Sequence, residues 1–122
     1  MNTTSSIVSD RGVLETFIAH LPATHAEEPR RQDMRHPISA PLPVGVVLGG
    51  NEFKVLYRGW LTDLSLHGMA FLTEKPMPTQ TCVMANLEPL LGHRCLLGMR
   101  IIYCQKVLPH TYRNGAVFLD ES

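Results

Sequence analysis

The chain has 122 residues, 44% of them hydrophobic and 18% charged, which predicts a single domain with its own core. Eleven Lys and Arg residues balance eleven Asp and Glu residues, and this balance argues against a protein that holds nucleic acid through an overall positive field. The most apolar stretch, residues 42–50, contains Pro43 and three glycines and is far shorter than the about 20 apolar residues of a membrane span. The first residues lack the basic and apolar segments of a secretion signal, so we expect a cytoplasmic protein with reduced cysteines.

The first predicted element is a short amphipathic helix over residues 10–21. Its apolar side chains recur at helical spacing; they are Val13, Leu14, Phe17, Ile18 and Leu21. Ser9 or Asp10 can cap the start of the helix, and Pro22 ends it. The apolar face must cover either the core or a partner subunit.

A proline-rich segment, residues 22–43, follows the helix. Five prolines remove backbone donors and disfavour helix, so the segment is predicted to be extended and irregular, a mobile arm. The arm also carries three arginines, Arg30, Arg31 and Arg35, among three acidic residues.

The remainder of the chain has the pattern of short strands. Strands are predicted at residues 44–48, 53–62, 69–73, 81–87, 95–104 and 116–119. Gly-Gly-Asn at residues 49–51 is a tight-turn signal, and another turn is predicted at residues 64–68. Short strands separated by turns, with no helices between them, indicate an all-β antiparallel sandwich or small barrel.

Two motifs together resemble the PilZ domain family, whose signature is R-x-x-x-R in an N-terminal loop followed by D/N-x-S-x-x-G. The first motif is R-Q-D-M-R, with Arg31 and Arg35, and the second is D-L-S-L-H-G, with Asp63, Ser65 and Gly68. The final R-N-G-A-V-F, from Arg113 to Phe118, is also similar to the closing strand of that family, which typically ends in G-x-x-F. Each motif alone is weak, but their order in an all-β chain is a specific signal.

The resemblance divides the chain into an N-terminal extension, residues 1–26, and a barrel domain with the arginine arm, residues 27–122. It implies a small six-stranded antiparallel β-barrel with a flexible arginine-rich arm in front of it. The short N-terminal helix predicted from the apolar spacing is an addition to the family pattern. Many members of the family end in a C-terminal helix, which this sequence lacks after Phe118. The N-terminal helix is therefore expected either to cover the barrel end or to mediate dimerisation.

The resemblance further implies a bacterial receptor that binds cyclic di-GMP. The sequence contains no G-x-S-x-G, Walker or H-E-x-x-H motif, so we expect no catalytic residues, cofactor or metal. The expected binding residues are Arg30, Arg31, Arg35, Asp63, Ser65 and Gly68. Arginine suits this ligand because its fork bonds phosphate and the O6/N7 edge of guanine, while its plane stacks on a base. Asp63 can accept from the guanine N1–H and amine, and Gly68 is expected to allow a positive φ or a close approach of backbone to ligand.

Two finer expectations also come from similar PilZ proteins. An arginine at the position of Arg30 goes with a stacked ligand dimer, which predicts two ligand molecules per protomer. Tyr103 lies near the place where some relatives hold an aromatic ring against guanine. The ligand is expected to order the arm and remodel a surface for a downstream protein partner.

Other readings of the same residues remain open. The arginines can be a solvated face, and Asp63 and Ser65 can simply cap their turn. The fold can serve as a protein-interaction module in pilus or motility control without binding cyclic di-GMP. A barrel for single-stranded nucleic acid predicts a basic groove and aromatic residues along one sheet face, which zero net charge and 7% aromatic residues disfavour. A zinc site from Cys82, His93, Cys95 and Cys104 lacks the paired ligand spacing of such sites.

Overall fold

The fold is a closed barrel of six antiparallel strands, as expected from the sequence. A computed structural model describes residues 14, 16–19 and 35–119. The strands are β1 (His36–Leu48), β2 (Glu52–Leu64), β3 (Gly68–Thr73), β4 (Cys82–Asn86), β5 (Leu96–Leu108) and β6 (Thr111–Phe118). Their order around the barrel is β1-β2-β3-β6-β5-β4. Within these described ranges, no helix is both long and apolar enough to cross a membrane.

The barrel interior is an apolar core built from alternate residues of the strands. In one row across three neighbouring strands, Leu61 pairs with Phe71, and Phe71 pairs with Asn114. All three side chains are fully buried. Because successive side chains of a strand point to opposite faces, the residues between them lie on the outer surface, where a ligand can reach them.

The N-terminal helical residues pack onto this core within the same chain. Residues 14 and 16–19 are helical, and the other residues of the predicted helix lie outside the described part. Leu14 and Ile18 are buried and belong to the same hydrophobic cluster as the barrel interior, with Phe17 packed against it. Of the two roles that the sequence left open for this face, the structure shows the cis packing.

The first strand begins earlier than predicted, so the expectation of irregular chain up to Pro43 is wrong for residues 36–43. Three prolines alternate with the inward side chains of β1. Pro37 and Pro41 are exposed, and Pro43 is partly buried. This part of β1 pairs with β2 alone. A proline is tolerated in a strand that has a free edge, because no ladder hydrogen bond is lost there.

The last hairpin is also longer than predicted, and a short helix was missed. β5 continues four residues beyond Cys104, and β6 begins at Thr111, five residues before the expected start. The residues at the tip of this hairpin are exposed on both faces, so they show no apolar alternation. The missed helix, Glu88–Leu91, has a single turn. Its C-cap is Gly92, whose φ of 87° is left-handed.

The barrel closes where β1 meets β4, and we call this contact the closure seam. It consists of two residue pairs, Val44 with Ala85 and Gly45 with Met84. The pairing of β1 with β2 shifts register here, because Val44 pairs with Tyr57 and Gly45 with Val55, so β2 carries a bulge at Leu56 opposite the seam. A Cβ at Gly45 would meet the carbonyl oxygen of Lys54, which explains the glycine at this bend.

Candidate functional site

The turn between β2 and β3 is held by the side chain of Ser65. The Ser65 Oγ donates to the Gly68 carbonyl at 3.1 Å and accepts from the backbone N–H groups of His67 and Gly68 at 3.3 and 3.2 Å. The Ser65 N–H also donates to the Gly68 carbonyl, at 3.0 Å. Since Ser65 is 1% exposed, its hydroxyl serves the turn itself. A direct contact between this hydroxyl and a ligand stays a prediction.

A glycine is required at position 68 because the backbone of β6 lies close to it. A Cβ at this position would meet the carbonyl oxygen of Ala116 and lie 3.2 Å from the Cα of Val117, both on β6. The expected positive φ is wrong, because Gly68 is not among the positive-φ residues of the described chain. The close backbone approach that glycine allows is an approach to β6, and a further approach to a ligand stays a prediction.

The structure brings Arg35 beside this turn. Arg35 is exposed and directly precedes β1. The first two residues of β1, His36 and Pro37, pair with Leu64 and Asp63 at the end of β2. In an antiparallel pair, the residue before His36 therefore lies next to the residue after Leu64, which is Ser65. Arg35, the second arginine of the first motif, thus lies next to the second motif at one end of the barrel. Arg30 and Arg31 lie outside the described residues.

The carboxylate of Asp63 has a partner that the sequence analysis missed. The Arg113 Nη2 lies 3.4 Å from the Asp63 Oδ2, and the two side chains are 47% and 24% exposed. Fifty residues separate them in the chain, and only the strand order β2-β3-β6 brings them together. A lone basic residue in a strand carries no sequence signal of this contact.

Tyr103 lies on the same outer surface. Across the sheet, Asp63 pairs with Ala70, Ala70 with Gly115, and Gly115 with Tyr103. The Tyr103 ring covers Gly115 so closely that a Cβ there would lie 2.6 Å from the ring Cζ. With Tyr103 at 41% exposure, the row runs from a carboxylate, over two small residues, to an accessible aromatic ring.

The described residues offer no alternative metal centre. Residues 14, 16–19 and 35–119 contain no group of three or more His, Cys, Asp or Glu side chains that could hold a metal ion. Cys82 is exposed and Cys95 is buried. The Cys104 Sγ accepts from the backbone N–H of Met77 at 3.4 Å.

Comparison with known proteins supplies one match. The family model of the PilZ domain matches residues 29–121, which is most of the chain and includes both motifs. No curated protein matches the chain.

Proposed function

Since this chain belongs to the PilZ domain family, a family of cyclic di-GMP-binding modules, we propose that it is a cyclic di-GMP receptor. The observation that carries the proposal is the position of Arg35. The pairing of His36 with Leu64 supports a position of the preceding Arg35 next to the turn of Asp63 and Ser65. A doubly charged dinucleotide with two guanines needs both kinds of group, because arginine binds phosphate and carboxylate accepts from guanine.

In the proposed complex, Arg30, Arg31 and Arg35 hold the ligand from the arm, and Asp63 holds it from the barrel. Ser65 keeps the turn in shape, and Gly68 lets the turn lie close against β6. The phosphates neutralise the mutual repulsion of the arginines, so that binding orders the arm against the barrel. The resulting surface meets a downstream protein, which makes the domain an adaptor rather than an enzyme. Arg30 favours two ligand molecules per protomer.

Isothermal titration with cyclic di-GMP tests the proposal, with GTP and cyclic GMP as controls for selectivity. The receptor predicts saturable binding of cyclic di-GMP that neither control displaces. Arg35→Ala should weaken this binding at least about tenfold, which is the loss expected for a charge-assisted hydrogen bond.

The matched control is Arg58→Ala. Arg58 is an exposed arginine on β2, paired with Pro43 towards the hairpin end of that strand. It should leave both affinity and thermal stability unchanged. An absence of binding by the wild-type protein would refute the receptor and favour the protein-interaction module. Equal losses for Arg35→Ala and Arg58→Ala would refute the position of the site.

A further inference from the structure

The ion pair of Asp63 and Arg113 spans three strands on the outer surface of the barrel. Arg113 pairs with Leu72 on β3, two residues along the strand from Ala70, which pairs with Asp63. The Arg113 side chain therefore reaches diagonally over β3 to the carboxylate. Ala70 is 0% exposed, as expected when a long side chain lies over a small one.

Solvent reaches the ion pair, and its contact can be replaced by contacts with a ligand. Its contact is a single one at 3.4 Å, with both side chains partly exposed, and such pairs contribute little to stability. A carboxylate has about four lone-pair sites, and a guanidinium has five N–H donors. Both groups therefore keep capacity for a ligand while they remain beside each other.

We propose that Arg113 is a further ligand-binding residue, and that Asp63 and Arg113 together read the guanine base. The proposal rests on the receptor function proposed above. Guanine presents the N1–H and the N2 amine as donors on one edge, and O6 and N7 as acceptors on the adjoining edge. A carboxylate and a guanidinium side by side present the complementary order, acceptor next to donor.

Adenine does not fit this pair. It carries an amine donor in place of O6 and an acceptor at N1, so both side chains would face a group of the wrong kind. A bidentate contact of arginine with O6 and N7 separates guanine from other bases by about tenfold or more. Arg113 is thus expected to contribute to the selectivity for the base as well as to affinity.

An aromatic ring lies in the same cross-strand row as Asp63. The Tyr103 ring covers Gly115, and Ala70 is 0% exposed, so neither small residue offers a free surface. The Tyr103 ring itself is 41% exposed, and its accessible face can flank a base whose edge meets Asp63 and Arg113.

The test is titration of wild-type protein and of Arg113→Met, Arg113→Lys and Arg58→Met with cyclic di-GMP and cyclic di-AMP. Arg113→Met should weaken cyclic di-GMP binding about tenfold or more and leave cyclic di-AMP binding unchanged. Arg113→Lys should recover little of the loss, because lysine keeps the charge but lacks the fork. Arg58→Met makes the same charge change away from the pair and should behave as wild type.

The outcomes separate this proposal from the receptor function. If wild-type protein does not bind cyclic di-GMP, the receptor function fails. If wild-type protein binds and Arg113→Met binds equally well or more tightly, only the role of Arg113 is overturned. Equal losses for both ligands, or full recovery with lysine, would reduce Arg113 to a general charge and overturn base reading. Where cyclic di-AMP binds too weakly to measure, the comparison of methionine with lysine makes the same distinction.

Discussion

Removal of one hydroxyl, in Ser65→Ala, should destabilise the whole barrel. The substitution deletes the donor to the Gly68 carbonyl and the acceptor of two backbone N–H groups. Water cannot replace that acceptor without a rearrangement, since Ser65 is 1% exposed. A net of roughly 1 kcal/mol per hydrogen bond, with discounts for the two longer bonds, gives a loss of about 2 kcal/mol in the free energy of unfolding.

Urea unfolding, followed by the fluorescence of the single tryptophan, measures this loss. With a slope between about 1 and 3 kcal/mol per molar urea for a small domain, the midpoint should fall by about 1 M at unchanged slope. Ser39→Ala is the matched control. The Ser39 hydroxyl is exposed and accepts from the Trp60 Nε1 at 3.0 Å, so its loss should cost less than about 0.5 kcal/mol.

Equal midpoints for Ser65→Ala and wild-type protein would show that the hydroxyl does not hold the turn. If the same variant then lost cyclic di-GMP binding, Ser65 would be a ligand contact, as the motif suggests. A lower midpoint together with weaker binding is the outcome that the structure supports, because a loosened turn also displaces Asp63.

Three further substitutions probe the turn at Gly68, the barrel interior and the arginine arm. Gly68→Ala places a methyl group against the backbone of β6 and should cost about 1–3 kcal/mol in urea unfolding or prevent folding; stability equal to wild type would contradict the close approach of the two strands. Asn114→Asp puts a carboxylate at a position that is 0% exposed, beside the carbonyl oxygens of Phe71 and Tyr112. The free energy of unfolding should therefore fall by about 3 kcal/mol or more at neutral pH. This loss relative to wild type should shrink as acid protonates the carboxylate. Arg30→Leu should reduce the number of cyclic di-GMP molecules per protomer from two to one in titration, and two bound ligands in the variant would contradict the role of Arg30.

The fold followed from the sequence where one face of a strand is buried. β2, β3 and their turn were close to the prediction, because apolar alternation and turn residues agree there. The start of β1 was not predicted because prolines disfavour regular structure, although Ile38, Ala40 and Leu42 alternate with the prolines of this strand. The tip of the β5–β6 hairpin was missed because it has no buried face.

The candidate site was predictable only in part. The motifs indicated Arg35 and Asp63, and the strand register places them at one edge of the barrel. The burial of the Ser65 hydroxyl inside its own turn depends on the local backbone path, which the motif does not specify. Arg113 could not be found, because its contact with Asp63 depends on the order of strands that are distant in the chain.

The closure seam has a consequence for motion. β1 can separate from β4 by breaking a two-residue ladder while its long ladder with β2 stays intact. Partial opening of this kind has a lower free energy than global unfolding, so the backbone amides that bond between β1 and β4 should exchange with solvent earlier than those between β2 and β3. Arg35 directly precedes β1. Because the seam at Val44 and Gly45 lies on the strand that follows Arg35, we expect a ligand that fixes Arg35 to slow hydrogen exchange in the ladder between β1 and β4.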